Sequence, residues 1–237
     1  MSKKIYQNIA EQLAADIDGG RYVPGDRLPS ERELAASIGV SRTSLREALL
    51  ALEFAGRIEI RDRAGVYVRE RVEPAIADIG AADRPGPYEV LEARRLIEGE
   101  LTFRACLRAS DEAIAEIVRS ADDLNHTDFD DLDRFLQLDR VFHVLIAQAA
   151  GNSVLADLSV SLWDQRDGPL WSSWYQGTRS RENREQSAAQ HAQIAVFLTA
   201  RQAPAARAAM ERHIDRIIER FLGYAADAFD GVPAKTP

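Results

Sequence analysis

Asp139, His143, His191 and His213 are the residues of this chain best suited to hold a metal ion. One carboxylate with three imidazoles is a donor set that suits Zn2+, with Ni2+ or Mn2+ as alternatives. Asp139 and His143 are four residues apart, hence neighbours on one helical face. At about 100° per residue, Phe135, Leu138, Phe142, Leu145, Ile146 and Ala149 share one apolar arc; Asp139 falls inside it and His143 at its edge. A carboxylate aimed at an apolar core is costly unless it is paired or coordinated. His191 and His213 sit on two further helices, antiparallel through a turn near Gln202–Pro204, so both can reach one depth. Two readings stand on the residues alone: a metal centre, or core histidines and an aspartate hydrogen-bonded to neighbours. The fourth histidine, His126, falls in a loop and is expected to face solvent.

A second constellation lies near the front of the chain. Arg42, Thr43, Ser44 and Arg46 crowd the first turn of a short helix that starts at Ser41. A helix N-terminus attracts phosphate through its free N–H groups and dipole. Hydroxyls and guanidiniums placed there can bond phosphates and base edges. Arg57, Arg61 and Arg63 add positive charge on a following hairpin.

These groups need elements to hold them. Ser30 and Glu33 form an S-x-x-E capping box ahead of Leu34, Ala35 and Ile38, which face inward at helical spacing. Gly39 ends that helix in the left-handed C-cap manner. The next helix carries an apolar stripe of Leu45, Ala48, Leu49 and Leu52, and Gly56 breaks it. Residues 57–61 alternate as a strand, Val66-Tyr67-Val68 is its partner, and Asp62-Arg63-Ala64-Gly65 joins them. From Leu28 to Val68 the pattern is a winged helix-turn-helix, whose second helix fits the DNA major groove. Pro74, Gly80, Pro85, Gly86 and Pro87 then mark a boundary, with room for a short helical turn over 74–79. Beyond it helices are predicted over 88–109, 111–125, 128–150, 152–166, 169–176, 180–201 and 203–226, with short connections and no strand signals. That pattern gives an antiparallel bundle. The fold class is therefore mainly α: an N-terminal winged helix-turn-helix plus a C-terminal antiparallel all-α bundle. The expected domains are 1–72 (DNA-binding), 73–87 (linker), 88–226 (helical, effector-binding) and 227–237 (flexible tail).

Within the bundle, Arg94 shares an arc with Val90, Ile97, Leu101 and Ala105 and so points inward, where its fork can bind a carboxylate. Glu98, four residues on, can satisfy it instead. Arg95 points elsewhere and is expected to be exposed. Trp163, Trp171 and Trp174 flank Arg166 and Pro169; this aromatic stretch either lines a pocket or belongs to core or interface.

Composition is consistent with this. Hydrophobic residues make up 46% and charged residues 29%, an ordinary soluble balance, and no apolar run is long enough to span a bilayer. The amphipathic start MSKKIYQNIAEQLAADI contains acidic residues and is not a secretory signal, and the single Cys106 suits a reducing compartment, so a cytoplasmic location is expected. The net charge of −8 is uneven: residues 1–74 carry 12 basic and 12 acidic residues, so the deficit lies in the remainder. Local potential, not global charge, governs docking to DNA.

The front segment resembles the DNA-binding domain of the GntR family of bacterial transcription regulators. The resemblance rests on PSERELA (Pro29 to Ala35), GVSR (Gly39 to Arg42), LREAL (Leu45 to Leu49) and GVYV (Gly65 to Val68). It implies DNA contacts from Arg32, Ser41, Arg42, Thr43, Ser44, Arg46 and Gly65. Family wings often read G-x-G at the tip, where this chain has Arg63 in place of the first glycine. The rear segment resembles the FCD ligand-binding domain of the FadR subfamily, through DRVFHVLIAQAAGNSVL (Asp139 to Leu155) and HAQIAVFLTARQAPAARAAMERHI (His191 to Ile214). That resemblance implies that Asp139, His143, His191 and His213 bind a metal and that Arg94 contacts the ligand. The GVYV wing and DGPLW stretch look most like regulators of hexuronate or aldonate use.

The expected function is a homodimeric transcription regulator, a repressor, that binds a near-palindromic operator on double-stranded DNA. A small carboxylate effector, a sugar acid in class, controls it through the metal and Arg94, and no enzymatic activity or membrane partner is expected. Three rivals remain open at this level: a metal-dependent hydrolase, a metal sensor without an organic effector, and a purely structural metal.

Overall fold

The computed structural model describes residues 4–61, 64–70, 85–166, 170, 171, 174 and 180–229. Arg63, the helical turn expected over 74–79 and most of the linker lie outside the described residues, as do most of the expected tail and most of the helix expected over 169–176.

The front of the chain holds α1 (Ile5–Asp18), α2 (Glu31–Ile38), α3 (Arg42–Phe54), β1 (Ile58–Arg61) and β2 (Gly65–Val68). Both halves of the predicted capping box form: Ser30 Oγ accepts from the Glu33 N–H at 3.3 Å, and Glu33 Oε2 accepts from the Ser30 N–H at 2.9 Å. Gly39 has φ +77° and its N–H donates to the Ala35 carbonyl, ending α2 where a side chain would be strained. Ser41 then caps α3, accepting from the Ser44 N–H at 3.1 Å. The strands pair antiparallel with Ile58 opposite Val68 and Ile60 opposite Val66. Tyr6, Ile9 and Leu13 of α1, Leu34 of α2, Leu45, Leu49 and Leu52 of α3, and Ile58, Val66 and Val68 of the hairpin pack as one core. Full burial of each such side chain is worth about 1.5–3 kcal/mol, and it seats the exposed N-terminus of α3 on a rigid support.

The remaining described elements are α4 (Pro87–Arg108), α5 (Asp111–Asn125), α6 (Leu132–Ala149), α7 (Ser153–Asp164), α8 (Arg181–Thr199) and α9 (Ala203–Phe229). Most starts are capped by a side-chain oxygen: Ser110, Asp131, Asn152 and Ser180 accept from the amides of Ala113, Arg134, Leu155 and Asn183. The cap at Asp131 places the start of α6 four residues after the expected 128, because Asp128 first closes a turn on the Asp130 amide. Helix α5 packs against α6 and α8. Antiparallel α4 and α9 are laced by ion pairs, Arg95 with Asp215 and Arg207 with Glu100. Arg95 is thus half-buried and paired at 2.5 Å rather than exposed, because α9 packs over it.

The described residues fall into two compact units. One comprises those of 1–89, 168–178 and 219–229, and the other those of 90–167 and 179–218. Trp171 and Trp174 belong to the first, where Trp174 packs edge-on against Trp171 and Phe221. Among the described residues no helix is long and apolar enough to cross a membrane.

Candidate metal centre and nucleic-acid interface

Three helices deliver the four predicted metal ligands to one point: α6 brings Asp139 and His143, α8 brings His191 and α9 brings His213. All four are buried, and one ligand atom from each lies within 4.8 Å of all the others. His191 Nε2 stands 3.1 Å from His143 Nε2 and 3.2 Å from His213 Nε2. Asp139 Oδ1 lies 3.5 Å from His191 Nε2 and 3.8 Å from His143 Nε2. Tetrahedral donors about 2.05 Å from a zinc ion are about 3.3 Å apart, so these separations are of coordination-shell size.

The outer partners of the imidazoles strengthen the fit. Glu98 Oε2 lies 2.6 Å from His143 Nδ1, and Gln190 Oε1 lies 2.9 Å from His213 Nδ1. The His213 contact is an aligned hydrogen bond, whereas the His143 contact is a close approach without hydrogen-bond alignment; both put an oxygen beside Nδ1 and leave the Nε2 of each ring facing the centre. His191 Nε2 carries at most one proton, so it can bond only one of its two neighbours. A cation among the nitrogens satisfies all three. The residues therefore fit a divalent transition metal, held by Asp139, His143, His191 and His213. The alternative of a self-satisfied hydrogen-bonded core leaves nitrogen lone pairs facing each other at these separations.

Electrostatics follow from burial. Burial, then the neighbouring His143, pushes the His191 imidazole down to about 3, so it is neutral and available as a ligand. Burial pushes the Asp139 carboxyl up, but its neighbours, His191 and Arg166 first, outweigh it and hold the group below its usual range. The Glu98 carboxyl is likewise held low, because Arg94 and His143 overcome the cost of burial. Arg166 is lowered to about 10 by burial and by the like charge of Arg94.

Arg94 points inward as its periodicity predicts. Its Nε donates to Glu98 Oε1 at 2.6 Å, so Glu98 does pair with it. Its Nη1, however, is buried and has no hydrogen-bond partner among the described residues. Arg94 and Arg166 both lie over the Trp163 ring, at 4.0 and 4.1 Å from the centroid, and Trp163 Nε1 donates to Glu98 Oε1 at 3.1 Å. Arg166 also reaches Asp139 at 3.4 Å. The aromatic stretch thus divides, with Trp163 at the metal site and Trp171 and Trp174 in the other unit's core. Sequence reasoning missed Glu98 as a partner of His143, Gln190 as a partner of His213, and Arg166 as a partner of Asp139. The i,i+4 spacing of Arg94 and Glu98 was one usable signal; Arg166 follows the end of α7 and has no periodic signature. His126 is exposed at the end of α5.

At the front, Arg32 is exposed on α2, and Ser41, Arg42, Thr43 and Ser44 ring the start of α3 with their side chains wholly or partly accessible. Arg46 is buried and paired with Glu31 of α2. Gly65 opens β2 with φ +119° and sits buried beneath the Arg27 side chain.

With this geometry in hand, the relatives are informative. Residues 5–68 match the family described as bacterial regulatory proteins, gntR family, and residues 89–216 match the FCD domain. The chain is 32% identical over 229 residues to the Uxu operon transcriptional regulator of Escherichia coli K12, covering 94% of this chain and 89% of that protein. It is 33% identical over 170 residues to the HTH-type transcriptional repressor NanR of Salmonella newport, covering 68% and 65%. The solved structure of E. coli McbR/YncC shares the fold at 18% identity, with a TM-score of 0.51 over 93% of this chain and 98% of that one. These names point to transcriptional regulation and not to an enzyme. A winged helix-turn-helix ahead of a helical domain with a buried cluster of one aspartate and three histidines, matched along nearly its whole length, places this chain in the GntR family of bacterial transcription regulators, with an FCD domain as its C-terminal module.

Proposed function

We propose that this regulator is a cytoplasmic homodimeric repressor that releases a near-palindromic operator when a small carboxylate, a sugar acid in class, enters the metal site. The observation that carries the reading is the buried Asp139/His143/His191/His213 cluster with the open Nη1 of Arg94 nearby. Arg94 and Arg166 are balanced by Glu98 and Asp139, and the imidazoles add no charge when neutral. A divalent ion, Zn2+ being the best match to the donors, then leaves the site with surplus positive charge, which suits an anion. Bound there, the ion supplies a Lewis-acid contact for a carboxylate oxygen. Arg94 supplies a directed N–H donor, and Glu98 fixes the arginine by holding its Nε. The effector can act on operator binding only through its differential affinity for the two states of the protein.

On this reading the winged helix-turn-helix within residues 1–72 reads DNA and the helices within 88–226 sense the effector; the linker expected over 73–87 and the tail expected over 227–237 lie mostly outside the described residues, and α9 continues to Phe229. Leu96 and Leu107 of α4 are 68% and 62% exposed and lie eleven residues apart, just over three turns, so they share one face. An apolar pair of this kind supports pairing of two copies, and two-fold symmetry in the protein calls for two-fold symmetry in the operator.

Native mass spectrometry of the purified full chain tests the reading first, since it reports a dimer, one metal per protomer and any retained acid. Affinity for a duplex enriched from a random library by the protein is then measured across a panel of hexuronates and aldonates, with metal present. Release by a sugar acid supports the proposal, and unchanged affinity across the panel refutes the effector role. One observation favours a second reading: four protein donors gathered within 4.8 Å of one another are enough in number to fill a zinc shell by themselves, as in a structural or metal-sensing site. In that case metal alone, titrated without any acid, changes folding or operator affinity and the acids add nothing.

A further inference from the structure

Glu31 has a role that the capping box and the core do not explain. It is the first residue of α2, where the helix dipole favours an anion, yet its carboxylate is turned into the protein and is only 2% exposed. Both oxygens are engaged by the next helix. Arg42 Nε donates to Oε1, and Arg46 Nε donates to Oε2 at 2.8 Å, with an Arg46 Nη nitrogen in ion-pair contact with the same oxygen at 2.8 Å. The two arginines are one turn apart on α3. Arg46 is 6% exposed, whereas the Arg42 side chain is 58% exposed at the start of the helix.

The chemistry of this triad is specific. A guanidinium has separate Nε and Nη donors in one rigid plane, so anchoring it through Nε fixes the plane and aims the rest of the group. A free arginine on a helix surface samples many rotamers and binds any phosphate; an anchored one is set for one geometry. The carboxylate also cancels one of the two positive charges, lowering sequence-independent attraction to the backbone. Burying Arg46 for stability alone requires only one carboxylate oxygen, whereas here the second oxygen holds an arginine that is otherwise largely in solvent.

The geometry points to Glu31 as a positioning residue for DNA reading: it sets the pose of Arg42 through its Nε and of Arg46 beneath it, trading non-specific phosphate affinity for sequence discrimination. This rests on the reading of the α3 N-terminus as the DNA-contacting surface.

The test uses the full chain, a duplex enriched from a random library by the wild-type protein, and a scrambled duplex of equal length. Binding to both is measured from low to moderate salt for wild type, Glu31→Gln, Arg42→Lys and the double variant. With Glu31→Gln, affinity for the scrambled duplex should rise and its log–log salt slope should steepen by about 0.9, one extra phosphate contact. Preference for the enriched duplex should fall about fivefold to hundredfold, the size of one lost base contact. Adding Arg42→Lys to Glu31→Gln should cost little further discrimination, because both changes remove one anchored contact. A merely structural Glu31 would weaken binding to both duplexes equally, with an unchanged slope and additive variants; that outcome overturns the proposal. If Glu31→Gln does not fold, Glu31→Asp replaces it: the charge stays but the carboxylate withdraws by one methylene, so preference for the enriched duplex should fall by the same factor while the salt slope stays unchanged, and equal weakening on both duplexes overturns the proposal. If the wild-type protein enriches no duplex at all, the DNA-contact reading itself fails, and the two failures are thereby distinguished.

Discussion

Glu98 is the side chain on which the two halves of the sensing site converge, and replacing it by Gln probes them together. The substitution keeps the volume and one oxygen but removes the charge. In the structure the carboxylate receives Arg94 Nε at 2.6 Å and Trp163 Nε1 at 3.1 Å on one oxygen, and lies 2.6 Å from His143 Nδ1 with the other. An amide has one oxygen, so at least one of these donors must face an NH2 group. Breaking a buried ion pair from one side costs about 3–5 kcal/mol, because the remaining charge stays buried. Loss of the outer partner of a ligating histidine costs about 10–100-fold in metal affinity, or about 1.4–2.7 kcal/mol. Urea unfolding of the metal-free protein measures the first quantity, and competition for zinc against a chromophoric chelator measures the second. Arg94→Met combined with Glu98→Gln separates them: removing both charges should restore much of the stability while metal binding stays weak, since His143 remains unanchored. If Glu98→Gln keeps its urea midpoint and binds zinc within twofold of wild type, the assignment of Glu98 as the support of both Arg94 and His143 is wrong.

Stripping metal with a chelator should lower the thermal midpoint. A metal at about one hundred times its dissociation constant contributes about 2.7 kcal/mol, equivalent to about 5–10 °C for a domain of this size, and calorimetry with and without chelator reads it. Gly65→Ala should lower the stability of the winged helix-turn-helix by about 1–3 kcal/mol, because its φ is +119° and the added methyl runs into Arg27. An unchanged urea midpoint would show that the hairpin adapts at that position.

The winged helix-turn-helix was readable because its signals are local. The Ser30–Glu33 box, the stop at Gly39 and the cap at Ser41 each act within four residues, so the structure reproduces them at the expected positions. Helix periodicity likewise pointed Asp139 and Arg94 inward. Where several local choices compete, the reading slipped: the α6 start moved to Leu132 once Asp128 and Asp131 each took a different amide. Arg95 was misjudged because periodicity cannot show that α9 brings Asp215 to the same height on α4.

For the sensing site the division is sharper. Four ligand types and the i,i+4 step from Asp139 to His143 are written in the chain, as are the faces from which they project, because helical geometry converts spacing into direction. The approach of the His143 and His213 Nε2 atoms to 3.1 and 3.2 Å from that of His191 is a property of how three helices pack, as are the attachment of Glu98 to His143, the stacking of Arg94 and Arg166 on Trp163, and the capture of Arg42 and Arg46 by Glu31. Glu31 and Arg46 are 15 positions apart in the chain, and Glu98 and Trp163 are 65 apart. Core packing between different helices sets such distances, and no periodicity along a single element encodes them.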